Sequence, residues 1–331
     1  MNAPSNHPYE NLTPDTILDA VDALGFRCDG RLQALNSYEN RVFQLGQEDN
    51  AQLLVVKFYR PGRWSDAAIR EEHDFTLELA AQELPVLAPL VVAEETLHTH
   101  DGFRFAVYPS QGGRAPELDR SDDLEQLGRS LARLHNIGAL QAFEHRPQLD
   151  ITSHGYSARD TVLDSGLLPD DTRASYQAIA DQLLAGIERC FERAGDVGRI
   201  RLHGDCHPGN ILRRDETQWL LDFDDCCMGP AMQDLWLFLS GDRDYMQARL
   251  NDLVEGYSAF RRFDPRELHL IEGLRGLRML NHAAWLARRW DDPAFPQAFP
   301  YFNTRRYWDD YILNLREQAG QLDEPPLQWL L

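Results

Sequence analysis

The sequence predicts an α+β fold of two lobes, and three observations predict it. Between Leu32 and Phe58, short apolar runs alternate with polar turns, the pattern of strands. After a later apolar strand ending at Tyr108, the breakers of Pro109-Ser110-Gln111-Gly112-Gly113 mark a hinge. Beyond that hinge, apolar residues recur mainly at helical spacing. The expected division is a small sheet-rich lobe over residues 1–108, a hinge at 109–112 and a larger helical lobe over 113–331. A chain of 331 residues is long enough to bury a core in each.

Taken in order, Met1 to Asn11 is polar and reads as a mobile tail. Thr13-Pro14-Asp15 then gives an N-cap, a first-turn proline and an acid favoured by the helix dipole. Ile17, Leu18, Val21 and Leu24 form the apolar face of this packing helix, and Gly25 stops it. Leu35 to Asn40 is a polar turn between strands at 31–34 and 41–45; Gln47 to Gln52 is a second turn, before a strand at 53–58. Trp64 to Gln82 reads as a helix with Ile69, Phe75, Leu77 and Leu79 on its apolar face. Pro85 to Pro89 and Phe103 to Tyr108 read as the last strands of the small lobe.

Past the hinge, Leu124, Leu127, Leu131 and Leu134 mark a helix over 122–135, and residues 175–194 repeat the theme. His135 ends an apolar helix face and reads as a packing residue. Gln218 to Leu221 is a short buried strand ending at Asp222, and Gly229-Pro230 precedes a buried helix at 233–239. From Leu250 to Leu322, Trp285, Trp290, Trp308 and repeated leucines at helical intervals read as core rather than as a binding cage.

Composition narrows the function. A hydrophobic fraction of 43% and a charged fraction of 26% suit a folded globular chain. With 33 Lys plus Arg against 53 Asp plus Glu, the net charge of -20 repels nucleic acid and anionic membranes, so neither is an expected partner. Five cysteines, an odd number with Cys226 and Cys227 adjacent, fit no disulfide framework and point to free thiols in a reducing compartment. The N-terminus has no basic-then-apolar signal and no window is apolar enough to span a bilayer, so a cytoplasmic protein is expected.

The chemistry concentrates in Arg201-Leu202-His203-Gly204-Asp205-Cys206-His207-Pro208-Gly209-Asn210-Ile211-Leu212 and the Asp222-Phe223-Asp224 that follows. Asp205 and Asn210 have D-x-x-x-x-N spacing, and Asp222 stands at a strand end. Phosphoryl transfer needs one carboxylate to orient the attacking hydroxyl and accept its proton. It also needs a neutral oxygen and a second carboxylate to hold a hard cation against the nucleotide phosphates. Asp205 fits the first task, Asn210 and Asp222 the second, with ATP as co-substrate and Mg2+ as the metal. A helix cap or an ordinary turn explains any one of these residues alone, but not the joint spacing followed by a strand. His203, Cys206, His207, Cys226 and Cys227 do not have the spacing of a structural zinc site. Lys57, at the end of an apolar strand, matches the lysine that contacts the α- and β-phosphates, and Glu71 and Glu72 stand where its helical glutamate partner belongs. There is no G-x-G-x-x-G in the first turn; Asn36, Ser37 and Asn40 offer donors in its place, with Ser37 chosen for phosphate contact. Adenine is expected against backbone groups from Tyr108 to Ser110, in the cleft between the lobes.

The H-G-D-C-H-P-G-N-I-L and D-F-D segments resemble the superfamily of aminoglycoside and choline kinases, related in fold to protein kinases. A closer resemblance, to the bacterial stress response kinase A family, runs from about Thr13 to Gln328. It is carried by Leu35 to Val42, Val55 to Pro61, Gly229 to Trp236 and Asp292 to Pro296. It implies the two-lobed protein-kinase-like fold and a serine/threonine protein kinase of the stress-response type that phosphorylates protein hydroxyls, its own included; a monomer is expected. The family's E-H dipeptide favours Glu72 as the partner of Lys57, and Asp234 resembles the buried aspartate that braces the catalytic loop. His207 departs from the pattern, standing where protein kinases carry a lysine and small-molecule kinases carry histidine. A kinase of small alcohols or aminoglycosides is thus the first alternative, and a nucleotide-binding regulator without turnover the second.

Overall fold

The computed structural model describes residues 8–48, 50–117 and 120–329. The described residues divide into two compact units. One is drawn from Met1–Pro116, Phe143–Arg146 and Gly209–Cys226, the other from Glu117–Ala142, Pro147–Pro208 and Cys227–Leu331.

The first unit opens on α1 (Pro14–Asp22), where the Thr13 hydroxyl accepts from the Thr16 N–H and proline takes the first turn. Strands β1 (Cys28–Ala34), β2 (Arg41–Gln47) and β3 (Leu54–Phe58) follow, then α2 (Asp66–Ala81), capped by Ser65. Strands β4 (His98–His100) and β5 (Phe103–Pro109) complete a five-stranded antiparallel sheet of order β1-β2-β3-β5-β4. Alternation along β3 decides what each face receives. Val56 and Phe58 join Ile17, Val21, Phe105 and Val107 in one apolar cluster under α1. Lys57 points the other way, paired in register with Ala106, on the face where Tyr59, Ala106 and Ile69 of α2 pack together.

Two expectations change here. Residues 1–7 of the anticipated tail lie outside the described residues, but Tyr9 is buried, and its hydroxyl donates to the carbonyls of Glu39 and Phe58. An aromatic ring with two acceptors in reach is held in place, not mobile. Pro85 to Pro89 forms no strand beyond a single bridge from Val86 to Leu220. A proline at each end removes the donors a ladder needs, and β4 takes the sheet edge instead. The turn at 47–52 includes Asp49, which lies outside the described residues.

In the second unit α3 (Ser121–Gly138), α4 (Ser157–Asp164) and α5 (Asp170–Ala194) lead to the short strand β6 (Ile200–Leu202). The hairpin β7 (Ile211–Arg214) and β8 (Thr217–Leu220) belongs to the first unit. Strand β9 (Cys227–Gly229) then pairs antiparallel with β6, and α6 (Arg243–Ser258), α7 (Ile271–Arg289), α8 (Ala294–Ala298) and α9 (Arg305–Gln321) follow. Tyr176, Leu183, Leu280, Phe302 and Trp308 are among the buried side chains of its core, with Trp285 and Trp290 packed against it. Helices α3 and α6 approach so closely that a Cβ on Gly128 would strike the Leu253 carbonyl and one on Gly256 the Glu125 carbonyl.

The buried helix expected at 233–239 is instead two 3-10 turns, Ala231–Asp234 and Trp236–Phe238. The segment is buried as its apolar residues require. Its polar groups, however, are used against neighbours: the Met232 N–H donates to Glu267 at 2.6 Å, and Asp234 turns to the loop before it.

Candidate active site

Lys57 is buried in the sheet, with its ammonium 3.3 Å from Glu72, 3.0 Å from Asp222 and 3.2 Å from Asp224. Burial alone would lower its pKa, but Asp222, Asp224 and Glu72 outweigh that and hold it well above the usual lysine range. One ammonium is shared among three acids. Burial and the neighbouring carboxylates push Glu72 up, whereas Asp224 stays below the ordinary carboxylate value despite burial, because Arg63 and Arg146 also face it.

Of the two candidate glutamates, Glu72 is the one brought to Lys57. Glu71 turns outward on α2 and accepts the backbone N–H groups of Glu144, His145 and Arg146 at 2.6, 2.8 and 2.8 Å. That contact pins the Phe143–Arg146 segment to the helix. Arg146 then donates through Nε to the Cys226 carbonyl at 3.0 Å and through Nη2 to the Asp224 carbonyl, with Nη1 3.9 Å from Glu72. Arg63 pairs with Asp224 and, at 2.5 Å, with Asp225. Phe223, between the two aspartates, packs edge-on against Phe75 of α2 at 6.0 Å. The D-F-D segment is thus held by two arginines and a ring. Sequence reasoning missed Asp224, Arg63 and Arg146; the only signal was a second acid two residues after Asp222.

Asn210 and Asp222 stand at the open end of the β7–β8 hairpin. Ile211 pairs with Leu220, and the Leu221 N–H donates to the Asn210 carbonyl at 2.9 Å, which sets the two residues beside the same end of the ladder. Asp222 has a positive φ of 56° and a side chain 56% exposed. Aspartate tolerates the left-handed region better than most residues, yet a non-glycine there is uncommon and collects at functional sites.

In the second unit, β6 delivers the loop that carries Asp205. The His203 and Gly204 N–H groups donate to Asp234 at 2.9 and 2.8 Å, and the Gln233 amide donates to the Gly204 carbonyl at 2.8 Å. Gly204 has φ 87°, a turn that only glycine makes freely. Asp234 is fully buried and also accepts from His135 Nε2 at 3.0 Å, while the Tyr257 hydroxyl lies 2.9 Å from His135 Nδ1. His135 is therefore part of the brace beneath the loop as well as a packing residue. Asp205 itself is met by Arg278 of α7 at 2.5 Å and by His207 Nε2 at 3.6 Å. Burial raises its pKa, but Arg278 and His207 reverse this and hold it below the ordinary aspartate value.

The Ser37 hydroxyl donates to the Asn40 carbonyl at 2.9 Å, and the Asn40 side chain accepts from the Arg60 N–H at 3.1 Å, so the turn is closed by its own bonds. The Tyr108 hydroxyl lies 3.0 Å from that of Tyr59, which in turn meets His73 at 2.7 Å. That side chain is committed to the α2 face. The Ser110 N–H donates to the Leu53 carbonyl and its hydroxyl accepts from Gln44 at 2.8 Å.

Comparison with known proteins places the whole chain in a family. The profile of the phosphotransferase enzyme family matches residues 31–271. Stress response kinase A of Escherichia coli (strain K12) is 45% identical over 320 residues, 97% of this chain and 96% of its own. The serine/threonine protein kinase RdoA of Salmonella typhimurium (strain LT2) is 44% identical with the same coverage. Among solved structures, an amicoumacin kinase in complex with AMP-PNP and Ca2+ shares the fold with a TM-score of 0.70 at 19% identity, covering 95% of both chains. A family match over most of the chain and identity above 40% over nearly all of it make this chain a member of the stress response kinase A family, a kinase within the phosphotransferase enzyme family.

Proposed function

We propose that this kinase transfers the γ-phosphoryl group of magnesium-ATP to serine or threonine hydroxyls of proteins, its own included, as part of a stress response. The observation that carries the protein acceptor is the similarity to a relative named as a serine/threonine protein kinase, which extends over 97% of the chain. The transfer chemistry is supported by the residues themselves. Asp205 orients the acceptor hydroxyl and takes its proton as the new O–P bond forms and the bond to the leaving diphosphate breaks. Lys57, positioned by Glu72, holds the donor's phosphates, and the Ser37 turn and the backbone from Tyr108 to Ser110 complete the nucleotide contacts.

A divalent cation fits Asn210 and Asp222. Both offer hard oxygen donors at one hairpin end, and Asp222 is more than half exposed. Two protein ligands leave the other positions to phosphate and water, the arrangement magnesium favours. When bound, it supplies charge neutralisation for the phosphates. His207, in place of a lysine, favours a small-alcohol acceptor as the rival reading.

The test is transfer of radiolabel from γ-labelled ATP by purified protein to itself, to a generic protein substrate, and to a panel of amino alcohols and aminoglycosides. Label on serine or threonine of protein, absent with Asp205→Asn, is expected. Turnover of a small alcohol with kcat/KM above ~10⁴ M⁻¹s⁻¹ and no labelled protein overturns the reading.

A further inference from the structure

We propose that Arg278 selects the acceptor, favouring a serine or threonine flanked by acidic side chains and disfavouring cationic alcohols. This rests on the protein-acceptor reading above and names the sequence class that the same site takes. The net charge of -20 suggests the opposite preference, but it is a whole-chain sum. At Asp205 itself an arginine of the same unit is paired with the carboxylate. Arg278 reaches it from α7 at 2.5 Å and His207 Nε2 stands 3.6 Å away. His282, one helical turn beyond Arg278, also acts electrostatically with Asp205.

The pairing has a consequence for whatever hydroxyl comes to Asp205. Arg278 holds the Oδ1 atom of that carboxylate while 43% of its own side chain remains open to solvent. An acceptor that claims Asp205 must share or break this pair. An acceptor with its own carboxylate beside the hydroxyl offers the guanidinium a replacement, so one charged pair is exchanged for another. Bidentate carboxylate binding is what the guanidinium fork does best. A cationic acceptor offers no replacement and meets a like charge at close range, which is costly where water is displaced. No other carboxylate is described in a salt bridge with Arg278 among the described residues, so its charge is directed at this one group.

Paired peptides with one serine flanked by glutamates or by lysines, offered to the full-length protein with magnesium-ATP, test this directly. Wild type should show at least about tenfold higher kcat/KM for the acidic peptide, equivalent to ~1.4 kcal/mol. Arg278→Glu should erase or reverse the preference, and Arg278→Lys, which keeps the charge, should retain most of it. Arg278 is exposed on α7, so thermal melts of all three proteins should agree, separating selectivity from folding. Equal use of the two peptides by wild type, or a preference that survives in Arg278→Glu, overturns the role of Arg278 and leaves the protein-acceptor reading standing. If neither peptide nor any protein is labelled while a small alcohol is, both fall.

Discussion

Replacing Asp234 by alanine should loosen the loop that carries Asp205 and destabilise the second unit. The carboxylate is fully buried and accepts three hydrogen bonds, from the His203 N–H at 2.9 Å, the Gly204 N–H at 2.8 Å and His135 Nε2 at 3.0 Å. Hydrogen bonds to a charged group are each worth about 1.5–3 kcal/mol, but they share one acceptor and do not add fully. The truncation leaves two backbone donors and an imidazole facing an apolar void. Removing one member of a buried charged network costs about 3–5 kcal/mol, and that is the expected loss. For a unit of this size it corresponds to a fall in Tm of roughly 10 °C. Urea denaturation gives the free energy, and amide hydrogen exchange at His203 and Gly204 gives its location. Those two amides should exchange faster at urea concentrations far below the midpoint. A loss under about 1 kcal/mol, with both amides still protected, would refute the reasoning.

Three further outcomes follow from other buried groups. Burial pushes Glu267 up to about 7, so the native state holds a proton there that the unfolded chain has released. Its contribution to stability is complete below pH ~4.5 and is lost as pH rises through 7, at up to about 1.4 kcal/mol per pH unit. Glu267→Gln should flatten that decline in urea titrations run from pH 5 to 7.5; an unchanged slope contradicts it. Gly256→Ala drives a methyl group into the Glu125 carbonyl where α3 and α6 cross, and should cost about 1–3 kcal/mol by thermal denaturation, whereas Gly112→Ala, with open space around it, should cost little. Glu72→Gln should lower kcat/KM for ATP by roughly tenfold or more while Lys57 keeps its pairs with Asp222 and Asp224. An equal loss in Glu71→Gln, which does not touch Lys57, would argue that α2 acts only as scaffold.

What was legible in the sequence depended on how local each signal is. The strands around Lys57 and the start of α1 were readable because alternation, caps and prolines act within a few residues. Asp205, Asn210 and Asp222 could be named as candidates because their spacing is itself the motif. The choice between Glu71 and Glu72 was not open to spacing alone, since adjacent helical residues differ only in the direction they face. Arg63, Arg146 and Arg278 were invisible for another reason. Arg63 meets Asp224 across 161 positions, Arg146 meets the same residue's carbonyl across 78, and Arg278 meets Asp205 across 73. No local pattern marks an arginine whose partner is that far along the chain. Tyr9 was misread for a similar reason, because a polar terminus hides one ring whose partners are Glu39 and Phe58. The 3-10 turns at 231–238 show the limit of periodicity, since an apolar run states that a segment is buried but not which helix it forms.

The most direct measurement compares Asp205→Asn with Asp222→Ala for magnesium-ATP affinity and for phosphoryl transfer to protein. Asp205→Asn should keep nucleotide affinity nearly unchanged while turnover falls by about two orders of magnitude or more, the loss expected of a proton-accepting group. Asp222→Ala should weaken magnesium-dependent nucleotide binding itself. Equal losses of ATP affinity in the two variants, or full turnover in Asp205→Asn, would contradict the assignment of Asp205 to the chemical step and Asp222 to the metal.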